Sequence, residues 1–459
     1  MHSVSEFLQK LWPAGIVVEA ISGALAGIAV LVGFIVVRRA LRSRHFRQRE
    51  KRALTVRGKW EAIVDGRIPP ESWRFHPLDR EIIQSILLDA LEVAAPGPAA
   101  PLLRCLRRSG LLDALIYEAR VFHGWRRSQA LLALGRTRAP EAIPALAEAL
   151  SASSGALLQQ DAVRALGRIG LPEAGVAILN KLVAENLRVP ASPLQNALLN
   201  CCRSEPKVLV PFLRRADDTA RPLLARVLGE IAVAEMEDDL LLLAADPLPE
   251  VRASAARALG RAKTKSALSA LAKLASDPEW YVRLRAAVAL GDLGDPLGIP
   301  LLIAALCDSN RFVRLRSAAA LARHEHHLSE ILELVRRTGD RYAMQALISE
   351  LERSGGILKL INSLMDPGQR AFARAALLET LRAGTQRLLL DALTHHANWR
   401  VRLSVARLLA RSGAGDLAPE IERLAASGNS PREQRVMRWV LHQLRAGGAM
   451  GPQPQRVPA

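Results

Sequence analysis

Three groups of residues have types and spacings that could do chemistry. In "RHEHHLSE", His324, His326 and His327 bring three imidazoles together, and imidazole nitrogens bind Zn or Fe. Histidines this close in a loop more often stay solvated, and His395-His396 carries the same pair of readings. Aromatic residues stand beside arginines at helix starts: Trp125-Arg126, Trp280 before Arg283, Phe312 before Arg314, and Trp399-Arg400. Base stacking combined with guanidinium–phosphate contact is a workable nucleic-acid chemistry. The commoner use of a bulky residue at such a turn is packing against the neighbouring unit. Finally, Arg285 and Arg316 recur in two "VRLR" copies, as an extended binding strip requires, although a solvated helix face presents the same pattern.

Partner binding is therefore expected at Trp280, Arg285, Phe312, Arg316, Trp399 and Arg400, and no catalytic residue, metal ligand or cofactor is assigned. No Gly-rich phosphate loop, zinc cluster or Ser/His/Asp set with a recognisable local motif is present. Cys105, Cys201, Cys202 and Cys307 include no CxxC pair and read as reduced thiols.

The elements that position these residues repeat. "DPLPEVRASAARALG" from Asp246, "DPEWYVRLRAAVALG" from Asp277 and "DSNRFVRLRSAAALA" from Asp308 align with Val251, Val282 and Val313 at a constant spacing of about 31 residues. Leu259, Leu290 and Leu321 mark one place in each unit, and weaker copies put the equivalent Leu at Leu134, Leu166, roughly Leu199, Leu228, Leu351, Leu381, Leu409 and roughly Leu441. About eleven units follow, over residues 120–447. Each reads as two helices. Asp277-Pro278 is an N-cap with proline at the first helical position. Val282, Ala286, Ala289, Leu290 and Leu293 make one apolar stripe; Ile299, Leu302, Ile303 and Leu306 make the second. One pair cannot bury both stripes, so neighbours must stack. The composition agrees: half of the 459 residues are apolar yet only 4% are aromatic, an aliphatic mixture suited to close-packed helices.

The pattern D-x5-R at Asp246/Arg252, Asp277/Arg283 and Asp308/Arg314, with A-A-x-A-L and a G-D-P loop, resembles the HEAT-repeat family. It is most similar to the short HEAT-like repeats of the phycobilisome-lyase type, strongly over residues 246–322 and patchily elsewhere. The resemblance implies an all-α, right-handed α-solenoid. In it, Asp and Arg form a structural ladder between repeats and the second helices line the concave face. Arg374 and Arg402 keep the Arg, but Gly368 and His396 stand at the Asp position. Such scaffolds also host enzymes. The deoxyhypusine hydroxylases need several His-Glu pairs, whereas His324-Glu325 is the one pair here. Nothing marks the chromophore site of a bilin lyase, and nucleic-acid binding on a basic concave face is the remaining alternative to a protein-binding scaffold.

Upstream, Ile16 to Val37 holds one charge, Glu19, and at 1.5 Å per residue reaches across a bilayer's hydrocarbon core, about 30 Å. Residues 38–52 then carry eight Lys/Arg against Glu50, that is +7 of the chain's net +18. A secretory signal would place its bases before the apolar run. The positive-inside rule predicts a short tail (1–15) outside, a transmembrane helix (16–37), a basic segment (38–52) facing anionic headgroups, and a cytosolic remainder. Gly15, Glu19, Gly23 and Gly27 share one face and include a GxxxG, which suits helix packing or self-association. Residues 53–119 lack the period and read as a helical cap; residues 448–459, rich in Gly and Pro, read as a disordered tail. The cap is similar to the juxtamembrane region of bacterial membrane-anchored HEAT proteins that accompany surface-polysaccharide glycosyltransferases. The expected function is an inner-membrane adaptor that binds a protein partner along the solenoid's concave face.

Overall fold

The computed structural model describes residues 2–73, 77–151, 155–184, 187–382, 384, 386–412, 417–427 and 430–446; within them, the side chains of 2–22, 24, 41–43, 45, 46, 96 and 446 are outside the description. The expected tail at 448–459 and the side chains of Gly15 and Glu19 thus lie outside the described residues. Those described form helices and turns, with no strand. They divide into two compact units, residues 1–181 with 185–197, and 182–184 with 198–459.

The first unit opens with one continuous helix, α1 (His2–Gly58), followed by α2 (Trp60–Val64), α3 (Pro77–Val93), α4 (Pro96–Arg108) and α5 (Leu111–Val121). Among the described residues no helix is long and apolar enough to cross a membrane. Residues 16–22 of the expected span have side chains outside the description, and the apolar stretch that follows is shorter than the roughly 20 residues a crossing needs. The C-terminal part of α1 packs on α3 and is tied there by Arg52–Asp79 at 2.7 Å and Arg49–Glu81 at 3.4 Å. Two helix pairs follow, α6 (Gly124–Thr137) with α7 (Ile143–Glu148) and α8 (Ala156–Ile169) with α9 (Pro172–Ala184), then α10 (Ala191–Cys202). α3 lies on α6, where Arg136 pairs with Asp89 and Glu92. This contact covers the apolar side that the first repeat would otherwise expose.

The second unit continues the alternation. α11 (Val210–Arg215) is followed by α12 (Arg221–Ile231), α13 (Glu237–Ala244), α14 (Pro249–Ala262), α15 (Ala267–Leu274), α16 (Trp280–Leu293) and α17 (Ile299–Leu306). Then come α18 (Arg311–Leu321), α19 (Leu328–Thr338), α20 (Arg341–Arg353), α21 (Gly356–Ser363), α22 (Arg370–Arg382), α23 (Arg387–His395), α24 (Trp399–Ser412), α25 (Ala418–Ser427) and α26 (Pro431–Ala446).

α12, α14, α16 and α18 form one layer in which each packs on the next, and the intervening short helices form the other. Small residues set the spacing of the first layer. A Cβ on Gly260 would fall 2.7 Å from Ala289 Cβ, and one on Gly291 would fall 2.6 Å from Ala320 Cβ, so the backbones meet where only glycine fits. The same contact joins Gly135 to Ala165 and Gly167 to Ala197 in the first unit. The residue after the marker leucine is Ala322, just past the end of α18, and Glu352 within α20. Beyond α20 the stacking changes: α22 packs chiefly on α19, and a cavity of about 830 Å³ opens between α20 and the end of α22. The clear helices also start later than the Asp-Pro pairs suggest. α16 begins at Trp280, because the Asp277 carboxylate accepts the Glu279 N–H (2.9 Å) in a turn that precedes the helix.

Candidate protein-binding surface

Asp277 and its equivalents set the geometry of the second unit. Arg252 uses Nη1 to donate to the carbonyls of Asp246 and Pro247, both at 3.0 Å, and so closes its own loop. Its Nε and Nη2 donate to both oxygens of Asp277 in the next repeat, at 2.7 and 3.0 Å. Arg283 repeats this atom for atom: Asp277 O and Pro278 O at 2.9 Å, Asp308 at 2.6 and 3.0 Å. Partial burial pushes the carboxyls of Asp277 and Asp308 up. The hydrogen bonds from Arg252 and Arg283, and those from the Glu279 and Asn310 N–H groups, outweigh it and hold both below the usual carboxylate range.

Arg314 closes its loop on Asp308 O (2.7 Å) and Ser309 O (3.0 Å) but meets Tyr342 instead of an acid, with its guanidinium 5.8 Å from the ring centre. Upstream, Arg221 donates to Ala216 O at 2.9 Å and lies 4.0 Å from Asp246. Downstream, Arg402 donates to His396 O at 2.5 Å and pairs with Glu433 at 2.7 Å, so the acid comes from a first-turn glutamate. Arg370, not Arg374, makes the loop contact in α22, to Leu364 O at 3.0 Å. Arg374 instead has its basicity lowered by burial and by Arg370, Arg411 and Arg407.

Arg285 and Arg316 stand apart from this ladder. Both are exposed, on adjacent helices, and among the described residues neither has an ion pair or a side-chain hydrogen bond. Partial burial, then the charges of Arg257 and Arg316, lower the basicity of Arg285; Arg226 adds to this and Glu230 opposes it. Arg226 and Arg257, from α12 and α14, thus extend the strip, and Arg257 is paired with Glu230 at 2.5 Å. The two "VRLR" copies pointed to α16 and α18 alone, because α12 and α14 carry their arginine three residues further along the helix.

Trp280 (41% exposed) and Phe312 (58% exposed) lie on the same two helices with ring centres 5.9 Å apart, and Leu315 is exposed beside Arg316. Trp280, Arg285, Phe312 and Arg316 therefore occupy neighbouring helices. Trp399 is of another kind: it is half-buried, flanked by Arg432 at 4.5 Å and Arg402 at 5.8 Å, while Arg400 is exposed on the separate helix α24.

The three clustered histidines diverge. His324 is buried and among the described residues its Nε2 has no hydrogen-bond partner; burial, then His327 and Arg323, lower its pKa. His326 lines a cavity of about 500 Å³ with Arg323, Glu325 and Lys359. His327 Nδ1 lies 3.8 Å from Glu330. Among the described residues no group of three His, Cys, Asp or Glu is placed to hold a metal.

No curated protein sequence matches this chain. Among solved structures, importin beta in an ammonium sulfate condition is 14% identical, with 80% of this chain and 57% of that one covered and a TM-score of 0.39. A phycocyanin lyase complex from Nostoc sp. is 18% identical over 52% of this chain and 87% of that one, with a TM-score of 0.25. Human deoxyhypusine hydroxylase is 19% identical over 55% of this chain and 99% of that one, with a TM-score of 0.24. Residues 112–189, 206–278 and 268–352 match the family model described as HEAT repeats. Across those segments, which include the ladder and the arginine-bearing helices α12 to α18, the chain is a HEAT-repeat protein.

Proposed function

We propose that this chain is a membrane-tethered adaptor that binds a protein partner through the exposed arginines and aromatic residues of the α12, α14, α16 and α18 layer, rather than along the concave face that the resemblance assigns to the second helices. One observation carries the reading: among the described residues Arg285 and Arg316 have no ion pair or side-chain hydrogen bond, and they are exposed on the same two helices as Trp280 and Phe312, whose spacing the ladder and the Gly–Ala contacts fix. Arginines and aromatics on a rigid base lose little freedom when they bind, the condition under which a few residues dominate an interface.

The tether is read from the apolar run at 16–37 and the basic segment after it, with the N-terminus outside, the solenoid in the cytosol and the bacterial inner membrane as the location. Confining adaptor and partner to one membrane raises their effective concentration. The resemblance of residues 53–119 makes a surface-polysaccharide synthesis or secretion complex the assembly to examine.

Crosslinking in native membranes tests this. One dominant protein partner is expected, and it should be lost from the Arg285→Glu/Arg316→Glu chain. Equal recovery with wild type and variant would reject this surface.

A further inference from the structure

We infer that the occupant of this surface is an acidic segment of the partner protein, with carboxylates spaced to match the arginines of successive helices. The inference rests on the adaptor reading above and names the chemistry of its ligand. Arg226, Arg257, Arg285 and Arg316 come from four consecutive helices of one layer, and the acid associated with them is Glu230, paired with Arg257. Mutual repulsion of this kind opposes folding, and an anion that bridges the strip relieves it.

Spacing narrows the class. Helices in such contact lie roughly 8–10 Å apart, so a chain in the polyproline II conformation, with three residues per turn and a rise of about 3.1 Å per residue, brings every third side chain on one face to a new arginine. The Gly260–Ala289 and Gly291–Ala320 contacts keep that spacing from adjusting. Carboxylates suit the strip better than a phosphate polymer. Glu230 and Asp292 lie along the same helices and would repel a continuous run of phosphates, whereas a peptide can place neutral residues opposite them. Trp280, Phe312 and Leu315, all exposed, give the intervening apolar side chains a place to pack.

The test uses the full chain in detergent micelles. One probe is a fluorescent synthetic peptide with glutamate at every third position and leucine or serine between; a second has glutamine for glutamate, and the third is a single-stranded oligonucleotide. The glutamate peptide is expected to bind with an affinity that falls as salt rises, and the glutamine peptide to fail. Arg285→Glu/Arg316→Glu should weaken binding by at least about tenfold. Arg285→Gln/Arg316→Gln, with an unchanged melting temperature, should weaken it several-fold and so separates lost charge from lost fold. Equal binding of both peptides, full binding by the charge-reversed chain, or tighter arginine-dependent binding of the oligonucleotide would each overturn the inference. A native partner that still crosslinks through Arg285 and Arg316 but is not displaced by the glutamate peptide would leave the adaptor reading standing and reject this one.

Discussion

Asp277 holds two repeats together with two oxygens. Oδ2 takes the Arg252 Nε–H; Oδ1 takes the Nη2–H and the Glu279 N–H. The carboxylate side chain is only 6% exposed and the arginine 16%, so both charges are largely removed from water and depend on each other. Asp277→Ala is expected to destabilise the second unit by about 3 kcal/mol, in the range for breaking a charge-assisted pair that leaves its partner stranded. In a double-mutant cycle with Arg252→Ala, the second change should cost far less than the first. The same pair predicts acid sensitivity. The folded-state pKa values of Asp277 and Asp308 are depressed, so their stabilisation is present above the ordinary carboxylate pKa, about 4. It is lost as pH falls through the lower folded values. Thermal unfolding followed from neutral pH down to pH ~3 should show a steeper loss for wild type than for Asp277→Asn/Asp308→Asn; parallel curves would remove these carboxylates from the account. The D-x5-R spacing made these residues visible in the sequence, because loop and helix start are local. The pairing of Arg402 with Glu433 was not visible, since a first-turn glutamate there replaces the loop aspartate and no local pattern links the two.

Helix spacing depends on single glycines. In an exposed helix, Gly→Ala gains about 1 kcal/mol through backbone entropy. At Gly260 the added methyl would sit 2.7 Å from Ala289 Cβ and 2.8 Å from its Cα, and backbone cannot move aside as a long side chain can. Steric cost wins, and Gly260→Ala should destabilise by about 1–3 kcal/mol. Gly97, exposed in α4 with nothing within 4 Å of its Cβ position, supplies the contrast: Gly97→Ala should be neutral or stabilising. Denaturant unfolding of both variants decides the matter, and a stabilised Gly260→Ala chain would show that α14 and α16 are not pinned there. The repeat itself was legible because Val251, Val282 and Val313 recur with the stripes that any helix pair must bury. The break after α20 was harder to read. Leu351 keeps the marker position, while the spacing is decided one residue later, where Glu352 stands in place of the glycine and α22 moves onto α19. Apolar periodicity reports which side is buried; it says nothing of how closely two buried sides approach.

For the whole molecule, the unresolved cost is α1. Leu25, Ile28, Val30, Leu31, Val32, Phe34, Ile35, Val36 and Val37 are each more than half exposed, and burial of one such side chain is worth about 1.5–3 kcal/mol. Gly23 and Gly27 also have open space around them, room for a second helix to approach. Charge gives the direction. Arg49 and Arg52 are engaged by Glu81 and Asp79, so in the proposed tether the headgroup-facing bases would be those nearer the apolar run, beginning with Arg38 and Arg39. α1 runs unbroken from that region to the residues packed on α3, so the tether we propose would be continuous with the cap rather than a flexible leash. The proposed tether predicts that the chain sediments with bacterial membranes, resists alkaline carbonate and needs detergent for release. Leu31→Arg/Val32→Arg should move it to the soluble fraction, since charge at mid-span costs about 3 kcal/mol per residue. Orientation is read with a membrane-impermeant maleimide on intact spheroplasts. Ser3→Cys should label at once, while Cys307, which is partly exposed in the second unit, should label only after lysis. Release by carbonate, or labelling of Cys307 before lysis, would dismiss the tether and with it the effective-concentration argument for the adaptor.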